Sequence, residues 1–365
     1  MFVRVMHKRR LRDGAYSIGL ALCAVALLTY PTAVATGISR GLSICSSVIL
    51  PSLFPFMLLS GLLTDSPLCR RPGRVAVWVA RRWFGLPGCC APAILLGLVG
   101  GYPAGMMAVA QLYKQGQISR EQWRRLSAFC VGGGPGFIVS TVGAGLLGSA
   151  QAGLLLFAAQ TTVALGIGIG LGRGHRHPEE ETRPPLPPRR PFAHVVGDSC
   201  GALLTVCGFV TLAAMVLALS EGAGVAAALA GWLGLNTATV SAVLAGILEV
   251  SGGCVAVVGL GGLTPLWLSL TLSWAGLSVQ GQLAAALPEE RLLTGYFWRW
   301  RLTHGLLSGG VALLLFHLFP PSDLTAGGRP QALPFSVSAS GSVMLLFLCF
   351  LTMLYFSQKK TGNPE

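Results

Sequence analysis

Residues 96–109 read LGLVGGYPAGMMAV and lie inside an apolar segment, 91–112, that is long enough to cross a bilayer. About 20 apolar residues span a hydrocarbon core as one helix. Here the middle of the segment holds Gly100, Gly101, Tyr102 and Pro103, with Gly105 close behind. Glycine and proline are the residues that turn a chain or end a helix. The expectation is that the segment enters the membrane, turns at 100–103 and leaves on the side it came from. The other reading is a glycine-rich helix, kinked and packed closely on a neighbour.

The rest of the chain makes a membrane setting the natural one. Of 365 residues, 53% are hydrophobic and 11% are charged, and the mean hydropathy is +0.66. A soluble domain of this size carries about 25% charged residues. Apolar segments recur at 16–35, 41–63, 91–112, 126–148, 150–172, 196–220, 238–260, 264–286, 302–320 and 339–357. The expected fold is therefore an all-α polytopic membrane protein. The net charge of +13 is spread in short basic clusters between these segments, without an aromatic-studded basic face, so no nucleic acid is expected as a partner. Ala33-Val34-Ala35 resembles a signal-peptidase site. A cleaved leader is thus the alternative to a first membrane helix.

The charges thread the chain. If all ten segments simply span and the N-terminus is cytoplasmic, the loop 113–125, with Lys114, Arg120, Arg124 and Arg125, falls outside. Short basic loops belong in the cytoplasm. If 91–112 and 238–260 are instead re-entrant hairpins, the second turning at Ser251-Gly252-Gly253, 24 of the 26 Lys and Arg residues become cytoplasmic. Only Arg40 and Arg329 then lie outside, and both termini are cytoplasmic. The chain then divides as follows. A basic segment and first helix (1–40) precede a first repeat (41–172). A Pro- and charge-rich cytoplasmic linker (173–195) leads to a second repeat (196–320), then an outer loop and C-terminal helix (321–365). Each repeat reads span, hairpin, broken span, span, and the two start on opposite sides. Such inverted-topology repeats with broken helices place a binding site at the bilayer midplane.

The candidate solute- or ion-binding residues follow from that order. Gly100, Gly101, Tyr102 and Pro103 form the first tip. Gly132, Gly133, Gly134 and Pro135 interrupt 126–148, either as an unwound segment that offers backbone groups to a solute or as a close-packing kink. Glu249 is the one acid deep within an apolar segment, two residues before Ser251 and Gly252. A carboxylate there contacts a solute or ion, or else bonds free amides of the opposite hairpin. Ser273 and Trp274 begin a polar side of 264–286 that continues through Ser278, Gln280 and Gln282. His304 reads as interfacial. No catalytic set, metal-ligand spacing or cofactor motif is present, so neither an enzyme nor a cofactor is expected.

Four stretches carry a resemblance: VILPSLFPFMLLSGLL (48–63), LGLVGGYPAGMMAVAQLYKQGQIS (96–119), RLSAFCVGGGPGFIVSTVGAGLLGS (125–149) and GILEVSGGC (246–254). The chain resembles the YlbJ family of sporulation integral membrane proteins, grouped with nucleoside-recognition or Gate domain membrane proteins. The resemblance implies a hairpin-and-broken-helix core, a role in endospore formation, and a path for a small polar solute or ion. Where that group often carries asparagine, this chain has Gly133 and Gly252. A nucleoside is therefore not implied. The alternative is a non-transporting scaffold that recruits sporulation membrane proteins through its basic loops. Glycine-rich faces such as that of 150–172 also permit a homo-oligomer.

Overall fold

The computed structural model describes residues 2–67, 72–175, 189–261, 263–286 and 294–321, and every regular element among them is helical. The expected C-terminal helix at 339–357 and most of the linker 173–195 lie outside the described residues. Among the described residues, three helices are long and apolar enough to cross a membrane: α9 (Ala150–Gly172), α10 (Phe192–Gly222) and α16 (Gly295–Leu318). Two sharply bent pairs reach that length if each is taken together, giving three to five candidate spans.

The first bent pair places a break at Tyr30, inside the expected span 16–35. Helix α1 (Phe2–Thr29) ends at Tyr30, and α2 (Pro31–Ile44) leaves it at 94°. Pro31 explains the place of the break: it lacks the N–H a helix interior needs but fits a first turn. From there the chain stays helical through a π-wound turn (Cys45–Ile49) into α3 (Leu50–Thr64). Glycines along this stretch are packing sites. Gly37 lies against Met215, Gly41 against Thr211, and Gly61 against Val195. Helices α2 and α3 thus run antiparallel along α10. Arg40 meets Glu221 (3.4 Å) at one end of this pairing. Arg190 joins Asp65 (2.8 Å) and Asp198 (3.0 Å) at the other.

After α4 (Arg74–Arg82), segment 91–112 folds as α5 (Ala91–Val99) and α6 (Gly101–Lys114). The chain doubles back at Gly100-Gly101, where Gly101 takes φ +80°. The two arms touch where they lack side chains: a Cβ on Gly105 would collide with Gly97 Cα and Cys130 O. Both arms start and finish at one end of the molecule. Cys89 Sγ, before α5, reaches Gln117 O, after α6 (4.0 Å). Other segments gather at this end. Arg125 donates to Phe84 O (2.5 Å), His175 Nε2 contacts Glu121 (3.0 Å), and Arg124 lies over the Tyr296 ring (4.6 Å).

Segment 126–148 is broken as expected. Helix α7 (Arg120–Phe129) starts earlier than the apolar pattern, because Ser119 and Gln122 form a capping box. Residues 131–134 have no regular structure, and the π-wound α8 (Gly136–Leu146) follows. The second half adds α11 (Val225–Leu233), in a stretch the sequence reading left as loop, and α12 (Thr237–Leu248) bends from it by 117°. Gly224 and Gly234, both left-handed, bracket α11 and explain the short element.

The second hairpin is α12 and α13 (Val250–Val258), again with glycine against glycine: a Cβ on Gly253 would meet Gly246 Cα. Its tip is Glu249, not Ser251-Gly252-Gly253. The Glu249 carboxylate accepts from Ser251 N (2.8 Å) and Gly252 N (2.5 Å), which starts a new helix at once. Segment 264–286 splits into α14 (Thr264–Trp274) and α15 (Gly276–Ala286) at Ala275, which holds φ +67°. Gly276 permits the split, since its bare Cα faces the Glu249 backbone.

Candidate functional site

The hairpin tips converge on a cavity beside the middle of α10. Gly100, Gly101 and Tyr102 line it from the first tip, and Glu249, Val250 and Ser251 from the second. Gly134, Gly136 and Phe137 contribute the break before α8. Leu53, Phe56, Val206 and Val210 form an apolar wall from α3 and α10. The cavity offers about 50 Å³ to the centre of a water molecule. One water needs roughly 10–15 Å³ on this measure, so the space suits a few waters, an ion or a small molecule.

Two polar side chains give the cavity its character. Glu249 is 5% exposed, and its oxygens keep lone pairs beyond the two amide bonds. Gln282, on α15, is 8% exposed, and its Nε2 has no hydrogen-bond partner among the described residues. A buried donor without a partner costs about 1–3 kcal/mol, so a ligand that satisfies it gains by binding. The site therefore brings an acceptor and a donor to the lining of a largely apolar space.

The remaining sequence-predicted residues do not line the cavity. Pro103 is in the first turn of α6, and its side chain lies outside the described residues. Gly132, Gly133 and Pro135 belong to the break, with Gly133 close to the Tyr102 hydroxyl and Ile138. Gly252 supplies an amide to Glu249. Ser273 points elsewhere, into a buried network between α9, α14 and α16. Its hydroxyl donates to Gln160 Oε1 (2.9 Å), while Gln160 Nε2 donates to Ser269 O and Ser308 Oγ (both 3.1 Å). His304 joins this network through Gln160 O (2.9 Å) and is 2% exposed. It is a core residue, which corrects its interfacial reading.

Broken helices expose carbonyls that lipid cannot satisfy. In this chain the breaks after α7, α12 and α14 are bridged by side chains. The Arg301 guanidinium of α16, fully buried, donates to Ala128 O and Val131 O at the end of α7. Tyr102 donates to Leu272 O (2.6 Å) near the end of α14. Trp274 Nε1 donates to Ile247 O (3.2 Å) at the end of α12, and Gln280 Nε2 to Trp274 O (3.0 Å). Sequence reasoning counted Arg301 as a loop charge. The signal that it faces inward is its place in a helical stripe with His304, Ser308 and Ala312, all buried.

The chain is a homologue of the sporulation integral membrane protein YlbJ of Bacillus subtilis (strain 168). The two are 28% identical over 323 residues, which cover 80% of this chain and 79% of that one. No family model and no solved structure matches the chain. With its long apolar helices, the homology makes this an integral multi-pass membrane protein.

Proposed function

We propose that this homologue of YlbJ serves endospore formation by binding or moving a small polar solute or ion through the cavity between two inverted-topology halves. The observation that carries the reading is the pairing, in one cavity, of the Glu249 carboxylate with the unpartnered Gln282 amide. A mid-membrane carboxylate costs about 2.5–3.5 kcal/mol on insertion scales, and is most readily understood as facing a polar path. The converging tips add support, because half-helix ends at a break offer backbone groups to a solute.

The topology that goes with this reading puts the end bearing Lys114, Arg120, Arg124 and Arg125 in the cytoplasm. The α5–α6 hairpin then enters from the cytoplasm and the α12–α13 hairpin from the opposite side. On this reading α3–α9 and α10–α16 each follow the order span, hairpin, broken span and span. The antiparallel packing of α2–α3 on α10 is what two halves of opposite orientation would give.

The test is replacement of Glu249 by Gln and by Ala at the native locus, with heat-resistant spores counted and the protein quantified in membranes. Both variants should accumulate normally and lower spore yield. Normal yield from both would sink a mechanism centred on Glu249 and leave the recruiting scaffold as the better reading.

A further inference from the structure

Helix α4 (Arg74–Arg82) lies at the edge of the hairpin core and has two faces of different chemistry. One face is buried: Ala80 is 1% exposed, Val77 lies against Gly88, and Phe84, just beyond the helix, stacks on Phe129 at 5.3 Å. The other face carries Arg74, Trp78 and Arg82 at four-residue spacing, flanked by Val75. Residues four apart lie one above another on a helix. All four side chains are exposed, Val75 at 76% and Trp78 at 55%. Trp83, half exposed, meets Trp78 edge to face at 6.3 Å. No acidic side chain pairs with Arg74 or Arg82 among the described residues.

Neither water nor hydrocarbon suits this face. Two tryptophans and a valine are poor residues to leave in water, and two unpaired guanidinium groups are excluded from the bilayer interior. The headgroup layer accepts both: tryptophan is enriched there, and guanidinium finds phosphate oxygens in the fork geometry it matches. The place in the fold agrees. The helix leads through residues 84–90 into the hairpin, at the end of the molecule where basic segments gather. We propose that the Arg74–Trp78–Arg82 face of α4 is a binding site for anionic phospholipid headgroups, which anchors the entry to the first hairpin at the membrane surface. The site depends on charge complementarity at this face and not on any solute in the cavity.

The full-length protein, delipidated in mild detergent and given equal amounts of phosphatidylglycerol and phosphatidylcholine, tests this by native mass spectrometry of retained lipid. The wild type should retain phosphatidylglycerol in preference, and added NaCl should reduce that retention, as screening of a surface charge pair requires. Arg74→Gln with Arg82→Gln should weaken phosphatidylglycerol retention by about 10-fold or more, given two basic groups at a charged surface. Arg40→Gln, which removes a guanidinium already paired with Glu221, should leave it unchanged. Trp78→Ala should weaken both lipids. Equal retention of the two lipids by the wild type would overturn the proposal, a result that needs no folded variant. So would a double variant with unchanged phosphatidylglycerol retention, competition by inorganic phosphate at equal concentration, or a dimer that dissociates on Trp78→Ala.

Discussion

The Tyr102 hydroxyl, at the tip of the first hairpin, donates to the carbonyl of Leu272, three residues before the Ala275 break in α14 (2.6 Å). The bond ties the first half of the chain to the second at the edge of the cavity. Leu272 is fully buried, so its carbonyl depends on this bond. Tyr102→Phe should lower stability by about 1–3 kcal/mol, the cost of one unsatisfied buried carbonyl. Thermal unfolding in detergent would measure this, and an unchanged midpoint would show that the two halves are held together elsewhere.

Arg301 carries a larger share, since its guanidinium takes two carbonyls at the end of α7. Arg301→Met removes the charge and leaves both carbonyls free, at an expected cost of about 1–3 kcal/mol for each. Arg301→Lys keeps the charge without the fork and should recover part of the loss. Protein yield in membranes and the unfolding midpoint should rank wild type above Lys above Met.

The hairpins should be sensitive to a single methyl group. Gly105→Ala places a Cβ against Gly97 Cα and Cys130 O, both backbone atoms that cannot swing aside. Overpacking of this kind costs about 1–3 kcal/mol. Gly253→Ala should behave alike against Gly246, whereas Gly166→Ala, with nothing within 4 Å, should be neutral or mildly stabilising. Equal midpoints for all three would mean that the hairpin arms are not in contact.

The network around Gln160 gives a sharper contrast. Ser273→Ala removes one hydroxyl whose acceptor, Gln160 Oε1, is buried, and should cost about 1 kcal/mol. Gln160→Leu strips partners from Ser269 O and Ser273 as well, and should cost more than Ser273→Ala and Ser308→Ala individually. Non-additivity in the double variants would identify the network as one unit.

Much of this architecture is legible in the residues. Gly100-Gly101 and the run Gly132–Gly136 mark breaks because backbone conformation is a local property, and glycine declares it. The second tip is less legible. Ser251-Gly252-Gly253 looks like a turn, yet Glu249 caps its own following amides and moves the break two residues earlier. The turn at Tyr30 was hidden by the apolar run through it, although Pro31 marks the spot. Arg301, His304 and Gln160 could not be read as partners, because each pairing joins helices well over 100 residues apart. Gln282 was visible as one of several polar residues on 264–286. Only the tertiary fold turns it, unlike Ser273, toward the cavity.

The central claim is that α5 and α6 form a hairpin that returns to the cytoplasmic side. Single cysteines at Gln115, beyond α6, and at Leu235, in the loop before α12, test it directly in intact cells whose ten native cysteines have been replaced. A membrane-impermeant maleimide should label Leu235→Cys from outside and leave Gln115→Cys untouched until the cells are opened. Labelling of Gln115→Cys from outside would mean that residues 91–112 cross the bilayer, and the inverted halves and the cavity path between them would fall together.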